Sequence, residues 1–331
     1  MTTASGIGSM PGDDAVAYDE AVRVVLGELP DLPYLPELPG RGATANMTAR
    51  ALAVVAELGA DLQPAGWRLT DAAGIDQRRA RSLLAQDLDA VEEQTQGLEG
   101  RFKIQVTGPW TLAATVERPR GDRVLADHGA RRELAQALAE GVRGHIADVR
   151  RRLPGAEVVV QVDEPALPAV MAGQILTASG FSRHRSVDAP VASPALEWVF
   201  EAIRDAGATS VAHCCAAEAP IALLLGAGAD GVSVDLGALA LSAYDDLAEA
   251  VERQKLVFLG AVPSVEPATW PGDRALTERL LRLFDMLGLD PQTVGERLVV
   301  TPSCGLAGPS LSWARRALGL SGKVAANLSG R

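Results

Sequence analysis

Short apolar runs alternate with amphipathic helical patterns along the chain, and the runs lack strict polar alternation, the mark of parallel strands buried on both faces. No linker or low-complexity segment divides them. These observations predict an α/β fold, a single (β/α)8 TIM-type barrel spanning residues 1–331 as one domain. A doubly wound open sheet is the alternative, and the lack of a glycine-rich dinucleotide fingerprint after the first run weighs against it.

The strands are read at 5–9, 60–64, 102–107, 158–163, 210–215, 231–235, 256–261 and 298–304, each followed by a helical pattern. The clearest helix starts at Asp127, a suitable N-cap, and ends before Pro154. Leu134, Leu138, Val142, Ile146, Val149 and Leu153 form its buried stripe at spacings of three and four. A second helix covers 76–94, with Leu84, Leu88 and Val91 on one face. Others are expected near 13–28, 46–58, 193–206, 242–253, 274–287 and 309–319. The segment 32–42 is extended by its prolines and is excluded as a central strand. A long connection, 174–190, follows the fourth strand and carries Arg183, His184 and Arg185.

Bulk properties narrow the function. The net charge of −11 argues against nucleic acid or an anionic membrane as partner. No run reaches the ~20 apolar residues of a membrane span, and no signal-peptide pattern opens the chain, so a cytoplasmic location is expected. Three cysteines in 331 residues make no disulfide framework.

Polar side chains gather where the strands end: Ser9, Asp163, Glu164, His213, Cys215, Asp235 and Cys304. A barrel brings such ends to one mouth. Residues i and i+2 of a strand share a face, so His213 and Cys215 point together while Cys214 turns away. With Cys304 they form three donors of the kind zinc selects, and the Asp235 carboxylate offers a fourth. Capping of the helices that follow is the competing role for Asp163 and Asp235. His145 reads as structural. Trp110 is a candidate to stack on a planar ligand or to pack in the core.

The ordered motifs Ile7-Gly8-Ser9, Thr107-Gly108-Pro109, Asp163-Glu164-Pro165, His213-x-Cys215 and Cys304-Gly305-Leu306 resemble the catalytic barrel of cobalamin-independent methionine synthase, in the superfamily that also holds uroporphyrinogen decarboxylase. The resemblance implies zinc as cofactor, held by His213, Cys215, Asp235 and Cys304, with Asp235 standing where the family has Glu. It implies homocysteine as the small-molecule thiol, with Ile7 and Ser9 near its carboxylate and Asp163 on its ammonium group. The family's second acidic residue, in a Gly-Glu pair after the second strand, is missing here, and Glu37 is the candidate substitute. The implied activity is transfer of a methyl group to homocysteine through a zinc-bound thiolate, with His213, Cys215 and Cys304 as the catalytic set. The donor is a folate, a methylcorrinoid or a corrinoid protein. Well-known members carry a further N-terminal barrel that helps bind polyglutamylated folate. Only the catalytic-like barrel is present in this sequence, so a methylcorrinoid is the expected better donor. The alternatives are a zinc-dependent transferase acting on another thiol, and a non-catalytic binding protein on the same barrel.

Overall fold

The computed structural model describes residues 1–330. Its first half contains β1 (Thr3–Ala4), α1 (Ala15–Glu28), α2 (Met47–Val54), β2 (Gly59–Gln63), β3 (Gly66–Thr70), α3 (Ile75–Gln94), β4 (Gly100–Thr107), α4 (Pro109–Thr115), α5 (His128–Arg152) and β5 (Ala156–Asp163). There follow α6 (Leu167–Met171), α7 (Ala189–Asp205), β6 (Thr209–Cys214), α8 (Ile221–Gly226), β7 (Gly231–Asp235), α9 (Tyr244–Glu252), β8 (Leu256–Val262), α10 (Asp273–Leu287), α11 (Pro291–Val294), β9 (Leu298–Pro302) and α12 (Leu311–Leu328). The Asp127 carboxylate caps α5 by accepting from the Ala130 amide at 2.9 Å, and the predicted leucine and valine stripe of that helix is buried.

Seven strands form one curled parallel sheet in the order β1-β9-β8-β7-β6-β5-β4. The eighth regular strand expected at 60–64 is not in it. That run is β2, which pairs antiparallel with β3 in a separate hairpin, where Asp61 faces Arg68 and the two side chains form an ion pair at 2.7 Å. A strand carrying Asp61 and Gln63 has one face suited to water, which a hairpin permits and a doubly covered parallel sheet does not. The first strand is also displaced: β1 is Thr3–Ala4, wholly before the expected 5–9, and within that run Ser9 makes only an isolated bridge.

Between the two edges of the sheet runs the proline-rich segment 33–37. Leu35 N–H donates to the Lys103 carbonyl of β4 at 2.9 Å, and Glu37 N–H donates to the Gly8 carbonyl at 3.0 Å. Isolated parallel bridges join Tyr34 to Lys103 and Ser9 to Glu37. Pro33 and Pro36 have no N–H to offer, so the segment makes bridges and not a regular ladder.

The concave side of the sheet is layered by the two-residue period of its strands. Val159, Val211, Phe258 and Val299 form an apolar layer with Leu32. One step along the same strands come Gln161, His213 and Thr301, and then Asp163 and Cys215. The opposite faces pack on the helices in the main core, where Cys214 is fully buried.

Candidate active site

Ile7, Ser9, Glu37, Asp163, His213, Cys215 and Cys304 line one cavity of about 140 Å³. The structure thus brings together seven of the eight residues that the sequence marks. The exception is Asp235. It ends β7, and its Oδ1 accepts from the Gly237 amide at 2.7 Å in the turn that follows, so it caps neither of the next helical segments, which start from Ala240 and Ala243. Trp110 is also elsewhere: it is buried in α4, its Nε1 donating to the Ala192 carbonyl at 3.0 Å, so core packing is its role.

The ligand atoms of His213, Cys215 and Cys304 lie within 4.8 Å of one another. The two sulfurs are 3.2 Å apart. Donor atoms around a tetrahedral zinc with bonds of 2.0–2.3 Å lie roughly 3.3–3.8 Å apart, so the group fits the ion with small adjustments and leaves one position open. The Ser233 hydroxyl is 2.9 Å from His213 Nδ1, which leaves Nε2 as the ring's remaining ligand atom. Two thiolates this close repel, and the protons divide accordingly. The hydrogen bond the two thiols share, with His213 beside it, holds Cys304 below the ordinary thiol range, while the same bond and burial push Cys215 up. A cation between the two sulfurs would favour ionisation of both.

Elsewhere in the cavity wall, Asp163 is buried and accepts from Gln161 Nε2 at 2.7 Å. Burial pushes Asp163 up to about 7, against the pull of His213, Gln161 and Lys103. Glu37, also buried, pairs with Arg50 Nε at 3.2 Å and accepts from Gln105 Nε2 at 3.0 Å.

Local sequence motifs acquire physical reasons here. Glu164, next to Asp163, is turned away from the cavity and caps α4, accepting from Trp110 N–H at 2.9 Å, Thr111 N–H at 2.8 Å and the Thr111 hydroxyl at 2.7 Å. A Cβ on Gly108 would sit 2.4 Å from Glu164 Oε1, which ties the Thr107-Gly108-Pro109 and Asp163-Glu164-Pro165 motifs together. A Cβ on Gly305 would sit 2.1 Å from Ser9 Oγ, so the glycine after Cys304 lets the first and last strand ends meet. Sequence reading misses Lys103, Gln105 and Gln161. Their signal is a polar residue in the middle of an apolar run, in Phe102-Lys103-Ile104-Gln105-Val106 and Val160-Gln161-Val162.

The family whose model matches the chain points to a methionine synthase-like enzyme. The chain belongs to the family described as "Cobalamin-independent synthase, Catalytic domain", whose model matches residues 90–327. Ile7, Ser9 and Glu37 precede the matched span. Among solved structures, SrfJ from Salmonella typhimurium is similar at 10% identity over 98% of this chain and 74% of that one, with a TM-score of 0.48. The YdhT protein from Bacillus subtilis is similar at 12% identity over 92% and 84%, with a TM-score of 0.43. A 2,3-dimethylmalate lyase is similar at 12% identity over 96% and 81%, with a TM-score of 0.40. No curated protein matches the chain. Among the described residues, no helix is long and apolar enough to cross a membrane.

Proposed function

We propose that this enzyme is a zinc-dependent methyltransferase that moves a methyl group to the thiol of homocysteine, forming methionine. The observation that carries the reading is the meeting of two chemistries in one cavity: an imidazole and two thiols that suit a soft metal, and two carboxylates, Glu37 and Asp163, that suit an ammonium group. A zinc ion held by His213, Cys215 and Cys304 supplies Lewis acidity, lowering the pKa of a substrate thiol from its usual ~8.5 so that it ionises at neutral pH.

The chain's own residues bind and orient. Asp163, fixed by Gln161, accepts from the substrate ammonium, with Glu37 as the second acid. The turn from Ile7 to Ser9 faces the substrate carboxylate. Met47 and Pro165 complete the wall and exclude water from the aliphatic arm. The cavity's 140 Å³ compares with the roughly 150 Å³ that takes a benzene-sized ligand, so it suits a small amino acid. A folate or corrinoid is far larger, and its methyl group has to enter at the mouth. The free thiols suit a reducing compartment, the cytoplasm.

The test combines metal analysis of untagged protein with a methionine assay using homocysteine and either methylcobalamin or triglutamyl methyltetrahydrofolate. About one zinc per chain is expected, with methionine formed and the methylcobalamin arm faster. Asp163→Asn is expected to weaken homocysteine binding by about 1.5–3 kcal/mol with zinc content unchanged. Absence of zinc, or of methionine with every donor, overturns the reading.

A further inference from the structure

Beneath the cavity lies a closed polar assembly centred on Lys103, whose side chain is fully buried within the curled sheet. Its ammonium has three N–H groups and three acceptors: the Ile7 carbonyl at 2.9 Å, Gln161 Oε1 at 3.0 Å and Gln105 Oε1 at 3.3 Å. Each glutamine then uses both N–H groups of its amide. Gln161 Nε2 donates to the Ile7 carbonyl at 2.8 Å and to Asp163 Oδ1 at 2.7 Å. Gln105 Nε2 donates to the Leu35 carbonyl at 2.5 Å and to Glu37 Oε1 at 3.0 Å.

An amide has two orientations, and the lysine chooses between them. Turning either glutamine over would set its carbonyl oxygen against a carboxylate and its NH₂ against an ammonium. With the lysine in place, both oxygens face Nζ and both NH₂ groups face the acids. All three acceptors lack a proton to give, so the assembly is complete only with the charged amine. Burial pulls Lys103 below the ordinary lysine range, and the neighbouring Asp163 and Glu37 carboxylates oppose it. The chain has only three lysines, against many arginines. An arginine here would bring five donors in a rigid fork to three acceptors.

We propose that Lys103 is the positioning residue of the amino-acid subsite: it fixes both glutamine amides and, through them, aims the Glu37 and Asp163 carboxylates at the substrate ammonium. The proposal rests on the reading that the cavity takes an amino acid. It separates the amino-acid end of the substrate from the thiol end, because no bond in the assembly reaches His213, Cys215 or Cys304.

The test compares Lys103→Met with the wild type on zinc-loaded protein, after circular dichroism and melting have shown that the variant folds. Calorimetry measures binding of homocysteine and of 4-mercaptobutyrate, the same thiol acid without its amino group. Homocysteine should bind about tenfold or more weakly, and 4-mercaptobutyrate within about twofold of the wild type, because only the contacts to the ammonium are disturbed. Equal losses for both thiols would mean a merely structural lysine, and no loss for either would overturn the proposal outright. If Lys103→Met does not fold, Gln161→Leu and Gln105→Leu each break one arm and should show the same selectivity for the amino group. Side-chain NMR supplies a readout independent of substrate. The Gln105 and Gln161 NH₂ protons should exchange slowly in the wild type and faster in the variant. If the wild type binds neither thiol, the homocysteine reading falls, and the NMR comparison still decides the lysine: equal exchange rates in both proteins overturn its role.

Discussion

His213 and Cys215 reach the cavity from one run of chain at the end of β6, two residues apart and above Val211, whereas Glu37 reaches it on a proline-rich segment that makes only isolated bridges. The thiol side of the site therefore takes its direction from β6, whose ladder holds His213 and whose end leads straight into Cys215, while Cys304 lies in the bend two residues past β9. The acid side has no ladder to rely on, and buried polar contacts do the fixing. Arg50 joins Glu37 to Asp87, which it meets at 2.5 Å. Arg41 grips the same Asp87 through two bonds at 2.7 and 2.8 Å and lies 4.6 Å from the centre of the Tyr18 ring. Such an array is costly to desolvate and is tolerated because each charge has a partner. The comparison teaches that one small cavity joins a wall of imidazole and thiols to a wall whose shape depends on charges staying paired.

The largest expected effect breaks the thiol side alone. Cys215→Ser or Cys304→Ser should abolish tight zinc binding, because each removes one of three soft donors, whereas Cys214→Ser should leave zinc content unchanged. Equal zinc loss in all three variants, measured on purified protein, would break the argument from strand faces.

The next breaks the acid side. Arg50→Met leaves buried Glu37 without its cation and should cost about 3–5 kcal/mol of folding stability in denaturant titration. Zinc affinity of the folded fraction should be retained. A cost under about 1 kcal/mol, the range of an exposed pair, would show that the arginine network is not what holds the acid wall.

The smallest effect sharpens the boundary between the two sides. Asp235→Asn should change stability by about 1 kcal/mol or less, because its carboxylate accepts one hydrogen bond, from Gly237. Zinc content should not change. A clear loss of zinc would move Asp235 from the turn to the metal and make a fourth ligand.

What was legible in the sequence is local in origin. The i, i+2 spacing of His213 and Cys215, the outward turn of Cys214, the Asp127 cap and the stripe of α5 follow from strand and helix period. So does the strand-end position of Asp163, because polar residues closing apolar runs mark where strands stop, whereas β9 stops at Pro302 and Cys304 follows in a bend. Tertiary structure decided which runs share a sheet. The 60–64 run has the composition of a strand, but its partner is the hairpin neighbour that answers Asp61 with Arg68, and nothing within the run states that. Pairing across the sheet left a gap between β4 and the chain after β1, and the 33–37 segment entered it with its few available N–H groups, carrying Glu37 to the cavity. The same long-range closure set Lys103 among acceptors from β5 and the first turn, and left Asp235 nearer the Gly237 amide than the thiols. Period is a property of a few neighbouring residues, whereas pairing of buried charges and donors is settled among segments far apart in the chain, such as Ile7 and Gln161 at a separation of 154 positions.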